Sequence, residues 1–475
     1  MPDETNIFER AKEEVTQSEK AQIATEPVKP SSPVAPFPAE LDQEEGNPLK
    51  TVGKIVGGVI VFLVVTFLLI TLLKGLFANK NQKVTLTYWG LWEDAPTMQT
   101  IISDFEKENP NITVNYTKKD VKQYRDELLT RVNNGSGPDI FRFHNTWVPE
   151  LSGILLPLPN DVITKDDFKK TFYPVAFSDL SKNGGIYGIP LEIDDLVLFT
   201  NTDMFTAATL QPPTTWDEFG KDARQLTVPD STGKIQTAGA AMGTYDNITH
   251  APDILSLLFL QNGADLRNFD QSSQKIIDAL NFYTLFATGN SNVWDATLDP
   301  SILSFAKGKL AMYFGFSWDI LTIKQINPNL NFTISQVPHL PDKQMTVASY
   351  WVEGASNKSK HQREDYLFLN FLARKETEQK LFTAVSKTRL LGEPYARVDL
   401  ADSLKGNALA YPFVSQGKTA ASSYFASDTQ DDGLNSQVNA YLGNAVRSIL
   451  NGGSAESAEQ TLSQGVSQVL SKYNF

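Results

Sequence analysis

The 475-residue chain has no cysteine and only four histidines, His144, His250, His339 and His361. Without thiols there is no disulfide framework, no thiolate nucleophile, no cysteine-ligated zinc and no lipid anchor on an N-terminal cysteine. The histidines stand far apart, without HExxH or any paired spacing, so no metal site is expected. P-loop, dinucleotide fingerprint and nucleophile elbow are all missing, so neither a cofactor nor a catalytic activity is expected. Basic residues are also scarce: 42 Lys and Arg against 55 Asp and Glu give a formal charge of −13. Residues 1–49 hold 11 acids against 4 bases, residues 50–82 hold four lysines and no acid, and the rest carries −10. An acidic surface repels phosphates, which excludes nucleic acid as a partner.

One segment lacks charge altogether. From Ile55 to Leu73 (IVGGVIVFLVVTFLLITLL) 19 residues run between Lys54 and Lys74. At about 1.5 Å of rise per residue a helix of this length spans roughly 28 Å, close to a bilayer's hydrocarbon core. A transmembrane helix with its flanks is therefore expected over 50–78. The run starts late for a cleaved signal, and Leu76-Phe77-Ala78 fits a cleavage site poorly. Residues 1–49, with seven prolines and an acidic bias, are expected to be a disordered tail. Lysines flank the run on both sides, so charge does not orient it. The expectation is a single-pass plasma-membrane protein, monomeric, with its large C-terminal part outside the cell.

Residues 83–475 are too many for one core, and two lobes are expected: one of about 83–192 plus 345–395, the other of about 196–340 plus 396–475. An alternating strand (Val84, Leu86 and Tyr88 against Thr85, Thr87 and Trp89) precedes a helix with Met98, Ile101, Ile102 and Phe105 inward. A second strand follows at Ile112–Tyr116, then a helix carrying Tyr124, Leu128, Leu129 and Val132, then a third strand from Asp139. This β-α-β-α-β order predicts a parallel sheet with right-handed crossovers. Ligands of such sheets bind beyond the carboxyl ends of the strands. The loop after the first strand carries Trp89, Trp92, Glu93 and Asp94, and that after the third carries His144, Asn145 and Trp147. Indoles for a sugar's apolar face and carboxylates and amides for its hydroxyls suit a carbohydrate ligand.

Six ordered motifs resemble the sugar-class extracellular solute-binding proteins of ABC importers, the group that includes maltose-binding protein. They are the opening strand to Trp89, FEKENPNITV (105–114), GSGPDI (135–140), GIYGIPLEIDDLVLFTNTDMF (185–205), PPTTWDEF (212–219) and GKLAMYFGFSW (308–318). The resemblance implies a periplasmic-binding-protein-like α/β fold, two Rossmann-like lobes joined by a hinge, and an ABC permease as partner. It implies a hydroxyl-accepting carboxylate at Glu93, an acid beside the hinge at Asp194, a stacking Trp318 and a second lobe-two aromatic at Tyr245. The match is looser around His144, Asn145 and Trp147. With Trp351 added, the candidate ligand contacts are Trp89, Trp92, Glu93, His144, Asn145, Trp147, Asp194, Tyr245, Trp318 and Trp351.

Other features read as structural. Trp216 follows the helix-capping Thr215 and belongs to packing. Glu192, Asp194 and Asp195 contain two carboxylates, as glycoside hydrolysis needs, but strand alternation puts Glu192 and Asp194 on one face and Asp195 on the other. Asp428–Asn439 departs from a calcium loop at Gln430 and Asn439. Two helices, with Val438, Leu442, Val446 and then Leu462, Val466, Val469 inward, are expected to close the second lobe. The alternatives to an importer's binding protein are a sugar sensor signalling through the helix and tail, and an anchored glycosidase.

Overall fold

Strand β1 (Val84–Gly90) buries Leu86 and Tyr88 and pairs in parallel with β2 (Ile112–Lys118) and β3 (Ile140–His144). The computed structural model describes Thr66 and residues 83–289 and 292–473. The proposed tail at 1–49 and, Thr66 apart, the proposed membrane helix at 55–73 lie outside the described residues. Among the described residues no helix is long and apolar enough to cross a membrane.

Helix α1 (Ala95–Glu108) links β1 to β2; Asp94 caps it by accepting from Thr97 N–H at 3.0 Å, and Met98, Ile101, Ile102 and Phe105 are buried. Capping by Asp satisfies one of the donors a helix leaves free at its start. Helix α2 (Tyr124–Asn133) links β2 to β3 and buries Tyr124, Leu128 and Val132, while Leu129 is only half-buried. The short strands β4 (Leu155–Leu156) and β5 (Ile189–Pro190) finish this part of the first lobe.

The chain then crosses over and builds a second sheet from β6 (Val197–Asn201), β7 (Val228–Pro229), β8 (Ile235–Ala240), β9 (Leu310–Gly315) and β10 (Phe332–Ser335). Its strand order is β10-β6-β9-β8-β7, with β8 and β9 parallel and β6 antiparallel to both neighbours. Helix α3 (Trp216–Leu226) starts with the full capping box of Thr215 and Glu218. Trp216 is buried and donates to Gln261 Oε1 at 2.7 Å, a packing residue as expected. Helices α4 (Ala251–Gln261), α5 (Ser273–Thr284) and α6 (Asp319–Ile326) complete this portion.

A second crossover returns the chain to the first lobe as β11 (Trp351–Ser356), antiparallel to β3 with Trp351 opposite His144. The first sheet is thus ordered β2-β1-β3-β11-β4, with β5 also on β11. Its parallel core is as the sequence predicts; the antiparallel strand arrives from more than 200 residues downstream, beyond the reach of local periodicity. Helices α7 (Gln362–Leu372) and α8 (Lys375–Val385) pack on this lobe. The third crossover runs later than the expected boundary at 395–396, because Val398 N–H still donates to Thr171 O at 2.9 Å in the first lobe. Helices α9 (Leu434–Leu450) and α10 (Ala455–Lys472) pack on each other and on α5, burying Val438, Leu442, Val446, Leu462, Val466 and Val469.

Candidate functional site

The carboxyl ends of β1, β3 and β9 converge on a cavity of about 420 Å³. Trp92, after β1, His144, ending β3, and Trp351, opening the antiparallel β11, line its first wall. They form one aromatic cluster: Trp351 meets Trp92 edge-on at 5.3 Å between ring centroids and His144 at 5.1 Å. Trp318, between β9 and α6, faces them with its ring stacked on Phe316 at 4.5 Å. Of the ten expected contacts, the structure brings these four together on one cavity.

The other six stand elsewhere, each for a physical reason. Trp147 is fully buried between Tyr124 and Trp351, so it is a core residue. Trp89 turns toward α2 and carries the Lys119 ammonium 4.2 Å over its ring. The Glu93 carboxylate is taken up by Arg142 at 2.5 Å, and Arg142 in turn binds Glu353 at 2.6 Å. Asn145 donates to Asp179 at 2.9 Å and lines a separate cavity of about 520 Å³. Tyr245 spends its hydroxyl on Asn439 O at 2.9 Å against α9. Asp194 accepts from Ser317 N–H at 3.1 Å and from the Ser317 hydroxyl, which makes it the brace of the residue before Trp318. The alternation across the hinge holds in part: Glu192 lines the cavity while Asp195 is fully buried with neither oxygen hydrogen-bonded.

Several cavity groups escaped the sequence reading. Asp319, Arg389, Glu393, Asp428 and Gln430 all line it, and Glu192 does so although it was singled out only as half of a hydrolytic pair. Arg389 and Glu393 are ion-paired from a non-helical segment after α8, where their four-residue spacing puts no pair on a common helix face. Asp319 is held by three donors, His250 Nε2 at 2.7 Å, Tyr313 OH at 3.0 Å and Phe316 N–H at 3.0 Å. That clamp requires glycine at 315, since a Cβ there would stand 2.4 Å from Asp319 Oδ2. Asp428 and Gln430 reach the cavity from a loop in which both adopt left-handed backbone, φ 58° and 48°. The Asp431 that follows caps α9, accepting from Asn435 N–H and Ser436 N–H.

Electrostatics divide the site. Burial lowers His144 to about 3, so the ring is neutral and bonds Ser349 Oγ at 3.0 Å and Thr146 Oγ1 at 2.8 Å. Burial also opposes charge on His250, but the charge and hydrogen bond of Asp319, with Asp428 and Asp253, outweigh it and raise it to about 9. Behind Trp318 there is therefore a buried imidazolium.

Two α/β lobes joined by three crossovers, with an aromatic and polar cavity at the junction, define a two-lobed ligand-binding protein. The model of the bacterial extracellular solute-binding protein family matches residues 89–379, and the chain belongs to that family. It is 28% identical to the multiple sugar-binding protein of Streptococcus mutans over 64% of this chain and 74% of that one. It is 24% identical to the maltodextrin-binding protein MdxE of Bacillus subtilis over 55% of this chain and 66% of that one. Among solved structures, the sugar-binding protein MalE of Xanthomonas citri superposes with a TM-score of 0.68 at 20% identity, covering 82% of this chain and 98% of that one. A cyclo/maltodextrin-binding protein in complex with maltotetraose gives 0.67 at 18% identity, covering 81% and 97%. The two-lobed fold expected from the sequence is the fold these structures share.

Proposed function

We propose that the protein captures a carbohydrate between its lobes and delivers it to the permease of an ABC importer. The observation that carries this reading is the cavity at the lobe junction, where Trp92, Trp318 and Trp351 offer ring-sized apolar faces beside polar Glu192, Arg389, Asp428 and Gln430. Stacking indoles and hydrogen-bonding rims are the two contacts a sugar ring uses. The relatives named for multiple sugars and maltodextrins support the same solute class. Closure of the lobes on the solute would raise affinity by favouring the closed state. The apolar run 55–73 would tether the binding domain to the outer face of the plasma membrane, with residues 1–49 inside.

Calorimetry of the full-length chain against neutral mono- and oligosaccharides tests the reading. The expected result is saturable binding with the sugar recovered intact by chromatography. Consumption of the sugar would replace the reading with a hydrolase, and failure of every saccharide to bind would remove carbohydrate as the solute. For the topology, proteinase added to intact cells should digest residues 83–475 and spare the tail; a protected large domain would reverse the orientation.

A further inference from the structure

The floor of the cleft holds more carboxyl groups than the cations beside them neutralise. Glu192 comes from the first crossover and Glu393 from the segment after α8 that runs beside it, where Ile193 N–H donates to Pro394 O at 3.0 Å and Glu192 pairs with Tyr395. Both side chains line the cavity. The same backbone pairing brings their carboxyl groups near one another, and burying two like charges together favours a proton on one of them. Glu393 keeps it: burial, then the charge of Glu192, prevail over Arg389 and push it up to about 8.

The surrounding charges do not relieve this surplus. From its own segment Arg389 binds Glu393 and stands 3.6 Å from Glu93. Arg142 on β3 is already held between Glu93 and Glu353. Two guanidiniums therefore face four carboxyls, and buried Glu93 Oε1 has no hydrogen-bond donor. Across the cavity, Asp319 and Asp428 add two more acids, set against the His250 imidazolium. On the hinge side, Asp194 is buried and contributes no cation. A neutral sugar's hydroxyl supplies one donor and no charge to stand in for the Glu393 proton. An ammonium group supplies three donors and a positive charge.

We propose that the solute is an amino sugar, its ammonium group held between Glu192 and Glu393 while its ring lies against the indoles. The proposal rests on the carbohydrate reading of the site. On binding, N–H···O bonds from the ammonium take the place of the proton on Glu393, and that proton leaves for solvent. Charge in the cleft floor is conserved by this exchange of one cation for another.

The test is calorimetry of the full-length chain at pH 6.5 with glucosamine, galactosamine and mannosamine, each beside its parent hexose and its N-acetyl derivative. At least one amine should bind about tenfold tighter, or more, than both its counterparts, the difference a charge-assisted hydrogen bond makes. Its apparent enthalpy should vary with the ionisation enthalpy of the buffer, reporting release of about one proton. Glu393→Gln should bring the preference to within about twofold and abolish the proton release. A neutral or N-acetylated sugar that binds as tightly as its amine overturns the proposal and leaves the carbohydrate reading standing. An amine preference that survives Glu393→Gln overturns the assigned anchor. Silence from the whole panel also overturns the proposal, and the neutral oligosaccharide titration then decides the carbohydrate reading separately.

Discussion

Trp318 and Glu93 illustrate how one carboxylate and one indole, equally plausible as sugar contacts in the sequence, part company once the chain is folded. Trp318 stands on the cavity wall, half-buried, with one face on Phe316. Trp318→Ala should weaken solute binding by roughly 2 to 4 kcal/mol, the range of an aromatic anchor, and leave the unliganded melting temperature nearly unchanged. Calorimetry and thermal unfolding separate the two effects, and a large drop in unliganded melting with intact affinity would make the ring a core residue. Glu93 behaves in the opposite way. It is buried with Arg142, so Glu93→Gln leaves a guanidinium underpaired and should cost about 3 kcal/mol of stability. Denaturant titration of the unliganded protein measures that loss; a variant as stable as the wild type would show that Glu353 alone satisfies Arg142.

At the scale of elements, the loop from Ser427 to Asp431 is the most specialised piece of the site. Asp428 and Gln430 both hold left-handed backbone, where a side chain costs about 1 kcal/mol or more that glycine does not. Strain of this kind persists where something else fixes it, and here Ser427 is bonded to His250 at 2.7 Å while Asp431 caps α9. Gln430→Gly should therefore keep unliganded stability within about 1 kcal/mol of the wild type while lowering affinity, measured by chemical unfolding and calorimetry together. Equal affinity in the variant would mean that Gln430 only happens to border the cavity. What the sequence made legible follows the same division. β1 to β3, α1, the capping box before α3 and the apolar stripes of α9 and α10 are written in local periodicity and capping residues. Trp92 and His144 could be placed because strand ends define the binding edge, and Trp318 because its motif resembles the solute-binding family, whereas no such sign singled out Trp351. The braces could not, since Asp194 meets Ser317 across 123 residues and Arg142 meets Glu353 across 211. No window of sequence reports such a pairing, so a carboxylate that braces looks the same as one that binds.

The whole molecule carries a proton balance that has a measurable sign. Burial raises the carboxyls of Asp253 to about 6, Glu150 to about 7, and Asp365 and Glu393 to about 8, and carboxylate partners overcome burial to raise His250 to about 9. Each of these groups binds its proton more tightly in the folded protein than in the unfolded chain. Buried His144, lowered to about 3, runs the other way up to about pH 6.5, but the raised groups together outweigh it, so between pH 5 and 9 the native state holds more protons and stability must fall as pH rises. The lowered acids, Asp94, Asp104, Glu218 and Asp230 among them, are solvent-facing and act only below their ordinary range. Scanning calorimetry should find the highest melting temperature near pH 5 and a steady decline toward pH 9. His250→Gln should flatten the part of that decline between about pH 6.5 and 9, the window between the free and the raised imidazole values. A melting temperature that climbs across this range would mean that the buried acids are ionised in the fold.

The antiparallel pairing of β3 with β11 sets a timetable for a chain made from its N-terminus. His144 leaves the ribosome 207 residues before its sheet partner Trp351. At about 5 to 20 residues per second that interval lasts roughly 10 to 40 s. Throughout it the three-stranded sheet has an unpaired edge, a template for misassociation with any other strand nearby. Nascent chains stalled near residue 340 should accordingly be cut by protease throughout 83–192, and chains extended to residue 400 should resist it. For more than two-fifths of its synthesis the first lobe has an open edge, because it is finished only by residues from the other side of the second.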